Sequence, residues 1–330
     1  MELSTILTEW MPVVRKEYLE DFVRKGGSAV KFVVPQASGA GLALTQTLGK
    51  ESQDSGFLFV ALDAGKEKLH LIDKIFHAVA KEVDWDRLAT KFLRSTLAES
   101  HRIVPDESED CSLARLAALN NSLDLAEMRR DVNTVLRERL YGDYAMTQEF
   151  RIAMLRLCLA QLEPSESASS TATAVKEWLT GDLKLIASLK QAFIFQKINR
   201  SNARNMLFSL AHWLHLTGGA GLVLVLDITR FMEVKKPRQS DGLIYYSTAA
   251  ALDGYEVLRQ FVDGTDEMEH GFILVLASPD WLLPKDESPR GVKAYDALWF
   301  RMADEVRDRT RVNPLASLIR LADGAAAKGQ

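Results

Sequence analysis

The sequence is poor in cysteine: Cys111 and Cys158 are its only two, far apart and in no Cys-x-x-Cys pairing. That excludes a disulfide scaffold and a cysteine zinc site, and it fits a reducing cytoplasm. Glycine (19) and proline (9) are too few for a collagen-like or low-complexity chain. No run approaches the roughly 18 apolar residues of a membrane span. The opening MELSTILTEWMPVVRKEYLEDF mixes acids and bases and has no apolar signal core, so nothing is expected to direct the chain out of the cytoplasm. Positive charge is not in excess either. With 41 Lys and Arg against 45 Asp and Glu the net charge is −4, which leaves no global field to hold nucleic acid or an anionic membrane, so any such contact must be a local patch. What is present is globular: 47% hydrophobic and 26% charged residues over 330, a length suited to about two domains or to one α/β domain with insertions.

Residues 3–24 predict a helix, because Val14, Tyr18 and Phe22 recur at i, i+4 and i+8 and Gly26-Gly27 stops the pattern. A β-rich run, Ala29-Val30-Lys31-Phe32-Val33-Val34, then feeds the glycine-containing turn PQASGAG and a helical pattern, and a second strand at 56–62 ends at Asp63. Such a strand-loop-helix-strand unit implies a parallel sheet. From 66 to 218 the pattern is helical, with stretches at 66–82, 86–99, 111–140, 147–162, 175–191 and 201–216; the Ser/Thr/Ala-rich 163–173 predicts a mobile linker. Leu222-Val223-Leu224-Val225-Leu226 and, some 50 residues on, Phe272-Ile273-Leu274-Val275-Leu276-Ala277-Ser278 are continuous apolar runs, as buried parallel strands require. The expected architecture is therefore an α/β core in two parts, 1–65 and 219–321, around a helical insertion at 66–218, with 322–330 a frayed tail.

A glycine loop between a strand and a helix invites a phosphate, since the first helical N–H groups and the helix dipole favour an anion. The pattern Gly-x-x-x-x-Gly-Lys-Ser/Thr aligns here with Gln36-Ala37-Ser38-Gly39-Ala40-Gly41-Leu42-Ala43. Gln36 replaces the first glycine, Leu42 the lysine that meets the β- and γ-phosphates, and Ala43 the hydroxyl that ligates Mg²⁺. An ordinary βα turn and a decayed phosphate loop both fit. The run at 222–226 ends in Asp227-Ile228, which keeps the aspartate that steers Mg²⁺ in phosphate-loop NTPases and lacks the glutamate that polarises water; Asp227 fits equally as a turn cap. Ser278 lies where such proteins place a polar sensor residue, and it too fits as a cap.

GGSAVKFVVPQASGAG, the helical insert, then GGAGLVLVLDITRF, IYYSTAAALDGYEVLRQFVDG, GFILVLASPDWL and YDALWFRM resemble, over most of 18–321, the ATP-binding P-loop proteins of bacterial phage-defence islands, the BREX-associated BrxD-like family. The resemblance implies a P-loop NTPase-like, AAA-like core. It places Gly39, Ala40, Gly41, Leu42 and Ala43 at the nucleotide loop, Asp227 at the Walker B aspartate, with any Mg²⁺ held there, Ser278 in the sensor region and Arg301 as the arginine of the helix after the last strand. Leu42, Ala43 and Ile228 depart from the family pattern, so ATP and Mg²⁺ are expected to bind weakly if at all. The expected role is that of a pseudo-ATPase: an interaction or scaffold subunit of a defence complex, beside an active ATPase. Two alternatives are an atypical active ATPase whose lysine is Lys31, Lys50 or a neighbouring subunit's, and a DNA-binding adaptor. ATPases of this broad type usually carry a helical lid or winged helix after the core; little chain follows it here, so nucleotide closure and autonomous DNA binding are expected to be weak.

The remaining candidates are weaker. Lys235, Lys236 and Arg238 offer a possible DNA or partner contact, or a solvated loop. His212 and His215 at i, i+3 come with no carboxylate at metal spacing, so no metal site is expected. Cys111 and Cys158 read as small buried apolar residues. Arg129, Arg130, Arg137 and Arg139, interleaved with Glu127, Asp131 and Glu138, predict intrahelical ion pairs.

Overall fold

A computed structural model describes residues 4–121, 124–303 and 312–322. The chain divides into two compact units, Met1–Ile75 with Ala220–Gln330, and Phe76–Gly219.

Among the described residues the first unit is built on six parallel strands: β1 (Thr5–Ile6), β2 (Ser28–Pro35), β3 (Phe57–Asp63), β4 (Gly221–Asp227), β5 (Gly271–Leu276) and β6 (Leu318–Ala322). Their order across the sheet is β1-β6-β2-β5-β4-β3. β4 and β5 are buried along almost their whole length, which is why their sequences are unbroken apolar runs. One face packs under α1 (Leu7–Val13), the wider π-type turns of Val14–Val23 and α2 (Ala40–Asp54), with Trp10, Leu19, Leu44, Val223, Phe272 and Leu274 in the core. Among the described residues the α-helices of this unit's second half are α10 (Thr248–Asp263) and α11 (Asp296–Met302). Here Tyr255, Trp281 and Phe231 are fully buried, and Trp281 stacks on Phe32 at 5.8 Å.

Two features correct the sequence reading. The first helix does not begin at residue 3: Thr5 and Ile6 pair with Leu321 and Ala322 as a strand, and the helix starts at Leu7. Tertiary pairing overrides the helical period there. Ala322 belongs to β6 and not to a tail; 323–330, expected to be frayed, lie outside the described residues.

The second unit is helical: α3 (Ile72–Lys81, begun in the first unit), α4 (Trp85–Glu99), α5 (Leu113–Leu119), α6 (Leu125–Leu136), α7 (Gln148–Leu162), α8 (Glu166–Thr180) and α9 (Ala203–Leu216). Its core is aromatic, with Trp85, Phe92, Phe150, Trp178 and Trp213 buried and Phe92 against Trp213 at 4.7 Å. The stretch expected to be a mobile linker is mostly helix. Ser165 caps α8 by accepting from the Ala168 N–H, Thr171 and Thr173 return their hydroxyls to the carbonyls four residues back, and Ala172, Val175 and Trp178 bury one face. Of the arginines expected to pair within helices, Arg129 pairs instead with Glu163 and Arg139 with Glu99, and Asp131, one of their expected partners, is taken by Arg102.

Candidate functional site at the carboxyl edge of the sheet

Open α/β sheets bind ligands outside the carboxyl ends of their strands, and here backbone hydrogen bonds tie the strand ends into one edge. The Ala277 N–H donates to Val33 O, Ile228 N–H to Leu276 O and Ala64 N–H to Asp227 O. This line brings the loop after β2, Ser278, Asp227 and Asp63 to one side of the molecule.

The loop after β2 has four residues, Gln36 to Gly39, before α2 begins at Ala40. Gly39 is its N-cap, with φ +82°, ψ −15°, and nothing lies within 4 Å of where a Cβ would sit; backbone conformation and not space asks for glycine there. A Cβ on Gly41 would meet Pro35 and Leu276 at 3.4 and 4.0 Å, ordinary contact. Gly41 and Leu42 lie in the first turn, where N–H groups have no intrahelical acceptor, so the backbone retains an anion-binding helix start. The side chains do not support it. Leu42 is 65% exposed and carries no charge, Ala43 carries no hydroxyl, and the next hydroxyls, Thr45 and Thr47, are turned back onto Gly41 O and Ala43 O.

Neither alternative lysine within the chain replaces the missing one. Lys31 is buried, donates to Leu315 O and Ala316 O at 2.5 and 3.0 Å, and lies over the Tyr18 ring. Lys50 is ten residues into α2, about 15 Å along its axis from Ala40.

Asp227 ends β4 and caps the turn after it, its Oδ1 accepting from the Thr229 N–H at 3.0 Å and the Thr229 hydroxyl at 2.6 Å. Beside it in register stands Asp63 at the end of β3, whose Oδ1 accepts from the Gly65 N–H. Asp63 is no site residue by motif, although FLFVALD and LVLVLD end alike. Ser278 precedes the turn Pro279–Leu282 but its hydroxyl makes no cap bond; Oγ is buried with no partner among the described residues. Ser278 follows β5 by two residues, and the indole Nε1 of Trp281, in the same turn, is likewise buried with no partner among the described residues.

The chain after β4 crosses the loop after β3. Tyr246 donates to Glu67 O at 2.6 Å and accepts from the Leu69 N–H, and the Ile244 N–H donates to Gly65 O. Burial pushes the Tyr246 phenol up to about 12, so it stays a donor at any physiological pH. Lys235, Lys236 and Arg238 lie in this segment. Lys235 and Lys236 are exposed, Lys236 sits over the Tyr245 ring, and the Arg238 N–H donates to Asp241, closing a short turn.

Arg301 is not brought to this edge. It donates to the carboxylate of Asp263 at the end of α10, and two residues on Thr265 O accepts from the hydroxyl of Ser28, the first residue of β2. The eight residues of β2 separate that end from Pro35 by about 23 Å.

Elsewhere, His212 does have a carboxylate partner, Asp143, at 2.8 Å. Burial opposes ionisation of Asp143, but the hydrogen bond and charge of His212 hold its carboxyl below the usual range. Cys111 and Cys158 are buried free thiols; burial raises both, Cys111 to about 11, so neither is a thiolate near neutrality.

An all-parallel α/β sheet, a glycine loop between the central strand β2 and α2, and an aspartate ending a buried strand two places across define the P-loop NTPase-like class. Within it the chain belongs to the family of BREX system ATP-binding proteins, BrxC/D, whose model matches residues 15–327. No curated protein and no solved structure matches the chain. Among the described residues no helix is long and apolar enough to cross a membrane.

Proposed function

We propose that this family member is a catalytically degenerate ATPase homologue that acts as an interaction or scaffold subunit of an anti-phage defence complex, beside an active ATPase. The observation that carries the proposal is the side chain at position 42: an exposed leucine where phosphate needs a lysine, with Lys31 committed to Leu315 O and Ala316 O. The residues present fit a phosphate only through backbone N–H groups. They do not fit Mg–ATP, for which Ala43 lacks the hydroxyl and Ile228, buried, replaces the glutamate. Losing one electrostatic stabiliser commonly costs ~10²–10³ in rate. An apolar Leu42 at the mouth of the loop is suited instead to contact with a protein.

Turnover of Mg–ATP by the purified chain, measured beside Asp227→Ala, tests the reading: no activity above background is expected, and turnover that depends on Asp227 would sink it. Calorimetry is expected to give weak or no Mg–ATP binding. Micromolar binding lost on adding a bulky side chain at Gly41 would show that the loop still cradles phosphate. Co-expression with the other proteins of the operon is expected to recover a complex that survives Lys235→Glu, Lys236→Glu and Arg238→Glu. A monomer that instead shifts duplex DNA tightly at physiological salt, and loses it on those changes, would favour the adaptor reading.

A further inference from the structure

The helical unit carries a surface that the proposed loss of catalysis does not explain. From Leu183 to Leu226 the chain contains no Asp or Glu, yet Lys184, Lys190, Lys197, Arg200 and Arg204 fall within it. The first four are exposed, and among the described residues none of those four has a carboxylate partner. Exposed aromatic rings interrupt this run of like charge. Ala192 and Ile194 are fully buried and fix the segment, while Phe193 and Phe195, alternating with them, are 63% and 67% exposed. Phe193 is held at φ +64°, a left-handed conformation that costs an aromatic residue energy.

The two rings border a cleft of about 470 Å³ lined also by Tyr141, Gln148, Arg156 and Gln196, a volume in the range of ligand pockets. The Arg156 guanidinium lies over the Phe193 ring, donates to Gln191 O, and leaves its Nε buried without a partner. Nearby, Arg151 lies over the Tyr141 and Tyr144 rings, and Tyr144 is 85% exposed. The cleft has one acid, Glu149, which accepts from Gln196.

We infer that this cleft and the basic run beside it bind single-stranded nucleic acid. Unpaired bases present the flat faces that Phe193, Phe195 and Tyr141 can stack, the amides of Gln148 and Gln196 match base edges, and Lys190, Lys197 and Arg200 track the phosphates. A duplex keeps its bases stacked inside and offers the cleft nothing to hold. An apolar peptide would leave the unpaired cations uncompensated. The chain's net −4 is no obstacle, since the positive charge here is local.

The test is fluorescence anisotropy of the full chain with labelled oligo(dT) and oligo(U), and with a matched duplex, between about 50 and 200 mM salt. Both single strands are expected to bind, the duplex at least tenfold more weakly, and preference between the two strands distinguishes DNA from RNA. Phe193→Leu with Phe195→Leu keeps the apolar volume and removes the stacking faces; about a tenfold loss at an unchanged salt slope is expected. Lys190→Glu, Lys197→Glu and Arg200→Glu together are expected to cost more than tenfold and to flatten the slope. Circular dichroism checks that each variant is folded. The inference is overturned if the wild type binds neither strand at low salt, if the duplex binds equally, if the leucine variant binds as the wild type does, or if poly-glutamate competes as well as the oligonucleotides.

Discussion

The interior of the sheet and its carboxyl edge belong to the same strands and are held by different constraints. Inside, β4 and β5 are wrapped by side chains on both faces, and every position must fill a defined volume. A few ångströms further along, Leu42, Ala43 and Asp63 are exposed, and their side chains fill no volume in the core. The packing of the interior therefore does not depend on which groups the edge carries for phosphate and water. Persistence of the sheet is evidence about packing and carries no information about turnover.

Substitutions should separate the two regions by size of effect. The largest is expected at Gly221, which has φ +124° and where a Cβ would lie 2.1 Å from His270 O; Gly221→Ala should destabilise by on the order of 4 kcal/mol or prevent folding, read from urea unfolding. A variant as stable as the wild type would mean that the start of β4 yields. Next is Trp281→Ala, which empties a fully buried site stacked on Phe32, with an expected loss of about 3 kcal/mol in the same assay.

Glu256, on α10, should show a smaller effect that depends on pH. Hydrogen bonds from Arg259 above all, with burial opposing, and then from Tyr295 and Gln260, hold its carboxyl down to about 2. A carboxyl lowered on folding contributes stability that is complete above about 4.5 and lost as pH falls toward 2. Because the side chain is 36% exposed, solvent screening reduces the benefit to about 1 kcal/mol. The gap in unfolding free energy between wild type and Glu256→Gln should thus close on acidification; a gap independent of pH would assign the effect to packing. The smallest effect is expected at the edge itself. Leu42→Lys with Ala43→Thr should change stability by less than about 0.5 kcal/mol, since both positions are exposed. Any gain in Mg–ATP affinity would then report restored chemistry and not a repaired fold.

The same division governs what could be read without coordinates. The buried strands announced themselves because burial on both faces writes an unbroken apolar run, and Gly39 and Asp227 followed from where those runs end. β1 and β6 did not, since a two-residue strand and LIRLA, with Arg320 at its centre, have no pattern apart from the partners they pair with. The first half of α8 was hidden, though its end was expected from 175 on, because Ser and Thr favour loops by composition and join helices only when a cap and backward hydrogen bonds satisfy their hydroxyls. The partner of Arg301 was hidden for a related reason: its position in a motif says nothing of Asp263, whose carboxylate accepts its hydrogen bonds. Asp63 needed only the register between β3 and β4, which no single strand contains.

The place of β6 between β1 and β2 has a consequence for how the protein is made. Among the described residues β1 pairs only with β6, and β2 with β5 and β6, so the earlier strands wait for later ones. Closing such long loops is slow, and the early strands emerge from the ribosome with apolar surface and open edges. Ribosome-bound chains halted before residue 271 should leave residues 28–35 open to protease, and chains released after residue 322 should protect them. Early protection would mean that β2 finds a temporary partner during synthesis. A strand order that seats β6 between β1 and β2 thus leaves the sheet of the first unit incomplete until residues 318–322 have been made.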